Sequence, residues 1–299
     1  MKRAALLAGA ILAARAGAAS AQQLEPRAYV PVPVGVNVVG APFVYQTGSV
    51  VTDPSLPIQN VDAKVEAIAA FYDRSFSFLG RSATALVTVP YAWAQVTGDV
   101  FEQARKVTRS GLTDMQVRFS SNILGSPALS PQEFARTPIQ TALGASLTVT
   151  APTGQYDGTK LINLGTNRWG FKPELGLSAP AGRWTLEAYA GAWFYTPNDD
   201  FFGGHRRTQD PLVEFQGHAG YNFRPGLWLA LDAVWYSGGQ TTTAGVLDDD
   251  RLANSRVGAT LAIPLGHGHD LKLAGARGAS TRFGQNFTTV GLTYQYHWF

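Results

Sequence analysis

The sequence predicts an all-β protein, an antiparallel transmembrane β-barrel of twelve strands. Three observations lead to this prediction. Apolar and polar residues alternate with period two in many separate stretches, short connections alternate with long polar ones, and aromatic residues gather at the ends of the alternating stretches. Short periplasmic turns at one end and long extracellular loops at the other, with both termini at the short-turn end, are typical of a bacterial outer-membrane barrel.

The composition agrees with a chain whose polar and apolar residues are finely interleaved. Of the 299 residues only 15% are charged, whereas 11% are aromatic and 32 are glycine. An average soluble domain has roughly 25% charged residues. The chain has no cysteine, which excludes a disulfide scaffold, a zinc–thiolate site and thiol chemistry.

Residues 1–21 predict a cleaved secretory signal peptide. Lys2 and Arg3 form a positive region, residues 4–14 form a short apolar run, and residues 19–21 (Ala-Ser-Ala) form a small-x-small cleavage site. A membrane anchor is the alternative, but this run is well short of the ~20 residues that span a bilayer. We therefore expect export to the outer membrane of a Gram-negative bacterium, with residues 22–299 forming a single barrel domain.

Removal of the leader changes the charge balance. Lys2, Arg3 and Arg15 are three of the 24 basic residues, so the remaining chain has 21 basic and 21 acidic residues. A balanced charge gives no argument for nucleic acid as a partner. The partners expected instead are outer-membrane lipid and lipopolysaccharide, the barrel-assembly machinery during biogenesis, and a small-molecule solute.

The alternation predicts strands of the length that a barrel needs. Closure removes the exposed edges of such a sheet and pairs every backbone polar group inside a bilayer. A periplasmic β-sandwich would show the same alternation, but charges in mid-strand and aromatic residues at strand ends favour the barrel. The predicted strands lie near residues 34–47, 61–77, 83–95, 112–123, 139–151, 169–178, 183–195, 212–223, 227–238, 254–264, 270–280 and 287–299.

Charged residues within these strands are expected to face the lumen, in equal numbers of acids and bases. Such charges either pair with one another to fill a narrow barrel or line a polar path. A twelve-stranded barrel lies between the sizes for which each outcome is typical. The predicted lumen residues are Asp62, Lys64, Glu66, Arg118, Lys172, Glu174, Glu214, Asp232, Arg256 and Lys272.

No motif predicts catalysis, a cofactor or a metal. G-x-S-x-G, H-E-x-x-H and Walker A segments are absent from the sequence. His218 is expected to be a polar lumen residue, which Ser255 could approach only across the barrel wall. The acidic runs at residues 198–200 and 248–250 could hold Ca²⁺, but neither has an EF-hand spacing, and solvated loop tips are the preferred interpretation.

Two segments carry a resemblance to a known family. Residues 154–176 include Gly-Gln-Tyr-Asp, then Lys-Leu-Ile-Asn-Leu-Gly-Thr-Asn-Arg-Trp and Phe-Lys-Pro-Glu-Leu-Gly, and residues 198–204 read Asn-Asp-Asp-Phe-Phe-Gly-Gly. From about Leu24 to Phe299 the chain resembles the outer-membrane transporter family of the MetA pathway of phenol degradation. The resemblance implies an outer-membrane barrel and uptake of aromatic or other hydrophobic compounds, and it transfers no catalytic or ligand residues.

The loop of the first motif holds Asn163, Asn167 and Arg168. This loop could fold into the barrel mouth and form a gate or constriction, or it could simply pack on itself, and the sequence favours neither. We expect a passive channel for small solutes, aromatic or hydrophobic ones among them. The alternatives are a structural barrel with a plugged lumen and a lipid-modifying hydrolase.

Overall fold

The computed structural model describes residues 24–51, 58–100 and 103–299. The predicted signal peptide, residues 1–21, lies outside this range. Among the described residues, no helix has both the length and the apolar character needed to cross a membrane.

Twelve antiparallel strands close into one barrel, which confirms the predicted fold. Each strand pairs with its neighbours in the chain, and the first strand pairs with the last from Asn37 opposite Trp298 to Val51 opposite Gly284. One of the twelve strands is interrupted and is counted here as β4 and β5. The wall strands are β1 (Asn37–Val51), β2 (Ile58–Phe78), β3 (Arg81–Val100), β4 (Gln103–Leu112), β5 (Met115–Leu124), β6 (Ala142–Ala151), β7 (Gly170–Ala181), β8 (Trp184–Tyr195), β11 (Leu212–Arg224), β12 (Leu227–Gly238), β15 (Leu252–Gly266), β16 (His269–Ser280) and β17 (Gly284–Trp298).

The long connections contain more regular structure than the sequence predicts. The expected loop at 96–111 is β-structure, because β3 continues upward and pairs with β4. The loops at 196–211 and 239–253 contribute a second, four-stranded sheet of β9 (Asn198–Phe201), β10 (His205–Gln209), β13 (Thr241–Thr243) and β14 (Val246–Leu247). The 124–138 connection contains one helical turn, α1 (Pro131–Phe134), with a capping box between Ser130 and Glu133.

An apolar belt surrounds the outside of the barrel. On β8, Trp184 and Phe194 both point outward and are 46% and 45% exposed. Ten residues of strand span about 33 Å, which at a tilt of about 40° is close to the ~25 Å apolar band of outer-membrane barrels. Between these two aromatic levels the outward residues are apolar, among them Leu186, Leu231 and Leu292.

Three of the predicted lumen charges are on the outer face, so that prediction was wrong for them. Asp62, Lys64 and Glu66 are exposed, and Glu66 lies opposite the outward Trp93 in the strand register. The intervening residues of β2 point inward, where Val61 and Ala63 pack against Phe287. Because β2 continues beyond the belt at this level, its outward side chains meet water and headgroups, and charge there is not penalised.

Candidate functional site

The lumen contains the chain that precedes β1, which is called the N-terminal segment here (residues 24–36). It enters at the short-turn end. Near that end Ser82 Oγ donates to the carbonyl of Val32 (2.8 Å), and the N–H of Val34 donates to the carbonyl of Leu129 (2.9 Å). Farther in, the N–H of Ala28 donates to the hydroxyl of Tyr189, an inward residue of β8 (3.1 Å). The segment therefore occupies the interior that a solute would have to cross.

Tyr29 is the buried anchor of the segment. Its ring lies over two glycines that face each other on adjacent strands, Gly144 and Gly176. A Cβ atom at Gly176 would be 2.0 Å from a carbon of the Tyr29 ring, and one at Gly144 would be 2.4 Å away. The hydroxyl of Tyr29 lies 2.8 Å from Ser146 Oγ and donates to Glu174 Oε1 (2.9 Å). The wall thus contains a slot that fits this ring.

Arg27 fixes the segment nearer the periplasmic mouth. Its backbone N–H donates to Glu187 Oε2 on β8 (2.9 Å). Its guanidinium donates to Asn222 Oδ1 on β11, and its Cζ lies 4.3 Å from the centre of the Trp228 ring. Trp228 lies at a strand end but is buried and points inward, so this aromatic residue does not face the membrane.

Glu25 pairs with the wall at the middle of the lumen. Its Oε2 accepts from Arg118 Nη1 (2.5 Å), and its backbone N–H donates to Gln216 Oε1 (3.3 Å). Burial raises the pKa of the Glu25 carboxyl, but the positive charges of Lys172 and Arg118 outweigh burial and leave that pKa below its ordinary value. Glu25 is therefore held as a carboxylate, and its side chain is still 31% exposed.

The wall beside Glu25 is an ion cluster formed by four of the predicted lumen residues. Arg118 Nη2 lies 3.1 Å from Glu174 Oε1, and Lys172 Nζ lies 3.1 Å from Glu174 Oε2 and 3.6 Å from Glu214 Oε1. The side chains of Lys172, Glu174 and Glu214 are almost fully buried. The lumen charges do pair with one another here, as one of the two sequence interpretations required.

His218 and Asp232 form a second polar pair, below the ion cluster. His218 Nδ1 lies 2.8 Å from Asp232 Oδ1, and Asp232 Oδ2 accepts from Thr260 Oγ1 (2.8 Å). In the described part of the chain, no hydroxyl lies within hydrogen-bonding distance of His218 Nε2. Ser255 shares the outer face with its register partner Trp235. No nucleophile–His–Asp arrangement is assembled at this pair.

The remaining two predicted lumen charges also face inward. Arg256 is buried and donates to Thr289 Oγ1 on β17 (2.8 Å). Lys272 is partly buried opposite the buried Ala262. Seven of the ten predicted lumen charges therefore face the interior.

A cluster of apolar side chains lies in the extracellular half of the lumen, which the sequence interpretation missed. Leu24 and Tyr195 pack against this region, which is called the apolar cluster here. Its buried residues come from four strands and one loop and are Trp193, Leu212, Val234, Tyr236, Leu252 and Phe283. Their inward position could have been derived from strand parity, because Trp193 alternates with the outward Phe194.

The loops of the two family motifs form a cap above the apolar cluster. Arg168 is buried, donates to Gln209 Oε1 and lies with its Cζ 4.4 Å from the centre of the Tyr195 ring. Asn167 Nδ2 donates to Asn198 Oδ1 (2.9 Å). These two of the three predicted constriction residues join loops to one another at the mouth.

Among the described residues, the Asn163 side chain forms hydrogen bonds only within its own loop. Its side chain accepts from the N–H of Asp157 (2.9 Å) and donates to the carbonyl of Lys160 (2.9 Å). The Lys160 ammonium and the Thr159 hydroxyl bind the Asp157 carboxylate and lower its pKa to about 2. For Asn163, loop self-packing is the interpretation that the geometry supports.

The acidic run at 248–250 is occupied by protein donors. Thr241 Oγ1 lies 2.8 Å from Asp248 Oδ2 and 2.6 Å from Asp250 Oδ2, and Nη2 of the buried Arg207 lies 3.4 Å from Asp250 Oδ2. Within the described residues, no group of three or more acidic, histidine or cysteine side chains is arranged to hold a metal ion.

The closed antiparallel wall, the apolar belt and the filled polar lumen together define an outer-membrane β-barrel. Residues 40–296 match the model of the family described as "Putative MetA-pathway of phenol degradation", and the chain belongs to that family.

Solved structures show the same fold. The COG4313 outer membrane channel from Pseudomonas putida F1 is 21% identical with a TM-score of 0.78, over 92% of this chain and 100% of that one. The transport unit of the autotransporter AIDA-I from Escherichia coli is 8% identical with a TM-score of 0.54, over 92% of each chain. The beta domain of the Bordetella autotransporter Brka is 14% identical with a TM-score of 0.51, over 88% and 99%. The comparison with curated proteins gives no match.

Proposed function

We propose that the protein is a passive outer-membrane channel for small solutes, aromatic and other hydrophobic ones among them, and that withdrawal of the N-terminal segment opens it. One observation carries the proposal. The lumen contains a separate stretch of chain, the N-terminal segment, which is bound through side chains and isolated backbone contacts and, among the described residues, forms no strand ladder with the wall.

The wall behind the segment supports this interpretation. It is lined by charged residues at mid-height and by aromatic residues above them, and these two surfaces suit solutes that combine a polar group with an apolar body. The family description, which refers to phenol degradation, is consistent with aromatic solutes. The fold neighbour from Pseudomonas putida is named as a channel.

A structural barrel with a permanently plugged lumen is the second candidate. The apolar cluster favours it, because buried side chains of four wall strands and one loop pack together in the extracellular half of the lumen and would stay there if the N-terminal segment left. The third candidate, a lipid-modifying hydrolase, has no assembled nucleophile at the His218–Asp232 pair to support it.

Single-channel recording of the purified, refolded protein in planar bilayers separates the first two candidates. A channel gated by the segment gives discrete current steps that become more frequent when residues 24–29 are deleted, and phenol or toluene blocks them. A folded, heat-modifiable barrel without current steps in either form would refute the channel and favour the plugged barrel.

A further inference from the structure

The N-terminal segment presents a carboxylate next to an aliphatic side chain, and the two contact different surfaces of the lumen. The Glu25 carboxylate meets Arg118, while Leu24 packs against the apolar cluster. An organic acid with an apolar body has the same two parts at a similar spacing. The segment therefore resembles, in chemistry and in position, a ligand that the wall could take from solution.

The wall groups that meet Glu25 are built to receive a carboxylate. Arg118 Nη2 is bound to Glu174, whereas its Nη1 is directed at Glu25. The Nε of Arg118 is buried and has no hydrogen-bond partner among the described residues. A guanidinium with an N–H donor that is not hydrogen-bonded can bind a carboxylate in a planar, charge-assisted geometry. If Glu25 left, Arg118 Nη1 would lose this partner while Nη2 stayed bound to Glu174.

The surroundings of this position are apolar and aromatic. Lys172 Nζ lies 5.5 Å from the centre of the Trp193 ring, and that ring stacks on Tyr195 with their centres 6.2 Å apart. An apolar body attached to a carboxylate on Arg118 would therefore lie against aromatic faces. The Glu25 side chain is 31% exposed, so the wall does not enclose the position completely.

We propose that Glu25 occupies the binding position of a solute carboxylate, and that an organic acid with an aromatic or aliphatic body enters the lumen by displacing the N-terminal segment. This inference rests on the proposed channel function and names its substrate class. It treats the segment as a tethered competitor, whose local concentration at the wall is on the order of millimolar or higher. A free carboxylate must therefore reach a concentration high enough to compete with the tethered Glu25 before it binds.

Calorimetric titration of the folded protein with benzoate, and with neutral benzamide as the matched probe, tests the inference. Glu25→Gln removes the tethered carboxylate, so benzoate should bind this variant at least about tenfold more tightly than it binds the wild type. Benzamide should show no such gain. Glu66→Gln, a change on the outer face, is the matched control and should bind both probes as the wild type does.

A second substitution identifies the receiving group. Arg118→Met in the Glu25→Gln background should abolish the preference for benzoate over benzamide, while Glu174 stays paired with Lys172. If that variant does not fold, Arg118→Lys keeps the charge but loses the planar pair of donors, and it should weaken benzoate binding.

Equal affinities of the folded Glu25→Gln variant for benzoate and benzamide, or no binding of either probe, would overturn the inference. Failure of the proposed function would look different. A variant that passes current without any preference for benzoate leaves the channel standing and removes the carboxylate site. Strong benzoate binding by a barrel that never conducts supports the site and removes the channel.

Discussion

Replacement of Gly176 by valine should expel Tyr29 from its slot and open the lumen. A Cβ atom at this position would lie 2.0 Å from the Tyr29 ring, far inside van der Waals contact. The position is on β7, between β6 and β8, so the wall cannot move away without breaking its ladders. The ring must therefore leave.

The size of the effect follows from what Tyr29 loses. Burial of a large apolar side chain contributes about 1.5–3 kcal/mol, and a hydrogen bond to a charged group such as Glu174 contributes about 1.5–3 kcal/mol. The sum, about 3–6 kcal/mol, corresponds to a shift of at least a hundredfold in the ratio of open to closed lumens. Arg27 and Glu25 still hold the segment, so the observed shift should lie at the lower end.

Planar-bilayer recording of the open fraction is the assay. Gly217→Val is the matched control, because a Cβ at Gly217 meets no atom within 4 Å. Tyr29→Ala should open the lumen without crowding the wall. If Gly176→Val and Tyr29→Ala, both folded, stay as closed as Gly217→Val, then the segment does not gate the barrel and the reasoning fails.

Three further changes test other parts of the structure. The pKa of Glu25 is lowered, so the contribution of its carboxylate to docking of the N-terminal segment is complete above pH 4.5, its ordinary pKa, and is lost as the pH falls through the lowered pKa. The channel current should therefore rise on acidification. Glu25→Gln should flatten that part of the plot of current against pH. Arg207→Met leaves two buried aspartates in the cap without their cation, so it should lower the stability of the cap by about 3–5 kcal/mol. Limited proteolysis should then cleave the cap of an intact barrel. A cap as resistant to protease as that of the wild type would contradict this prediction. Leu231→Arg, in the apolar belt, should lower the free energy of unfolding by about 2–4 kcal/mol, measured by urea titration in lipid vesicles. Gln95→Arg, above the belt, should change the free energy of unfolding little. Equal effects of the two substitutions would contradict the assigned position of the belt.

Strand count, order and approximate bounds could be predicted because the period-two pattern records which side of a barrel wall each residue faces. The pattern does not say which of the two sides is the inside. On β5, β7 and β11 the polar set is inward, as predicted, because the outward set meets lipid. On β2 the polar set at 62–66 is outward, because that part of the strand stands above the belt.

The period-two pattern did not predict that the N-terminal segment occupies the lumen. Residues 24–36 precede the first strand and contain three prolines, which remove backbone donors and disfavour strand pairing. Valines alternate with Pro31, Pro33 and Gly35 over residues 30–36, but nothing local indicates that Glu25, Arg27 and Tyr29 lie among strand residues that come far later in the chain. Arg168 could be selected as a mouth residue from its motif, but its partner Gln209 depends on how two long loops meet.

The unequal lengths of the strands make the rim of the barrel oblique. β2 and β3 have 21 and 20 residues, whereas β7 and β8 have 12 each, a difference of about 27–30 Å along the strand. On the tall side β-structure extends beyond the apolar belt, and on the short side folded loops lie over the opening. A large molecule that approaches from the long-loop end would therefore meet the tall strands on one side and the folded loops on the other before it reached the lumen, so this end of the barrel presents two different surfaces.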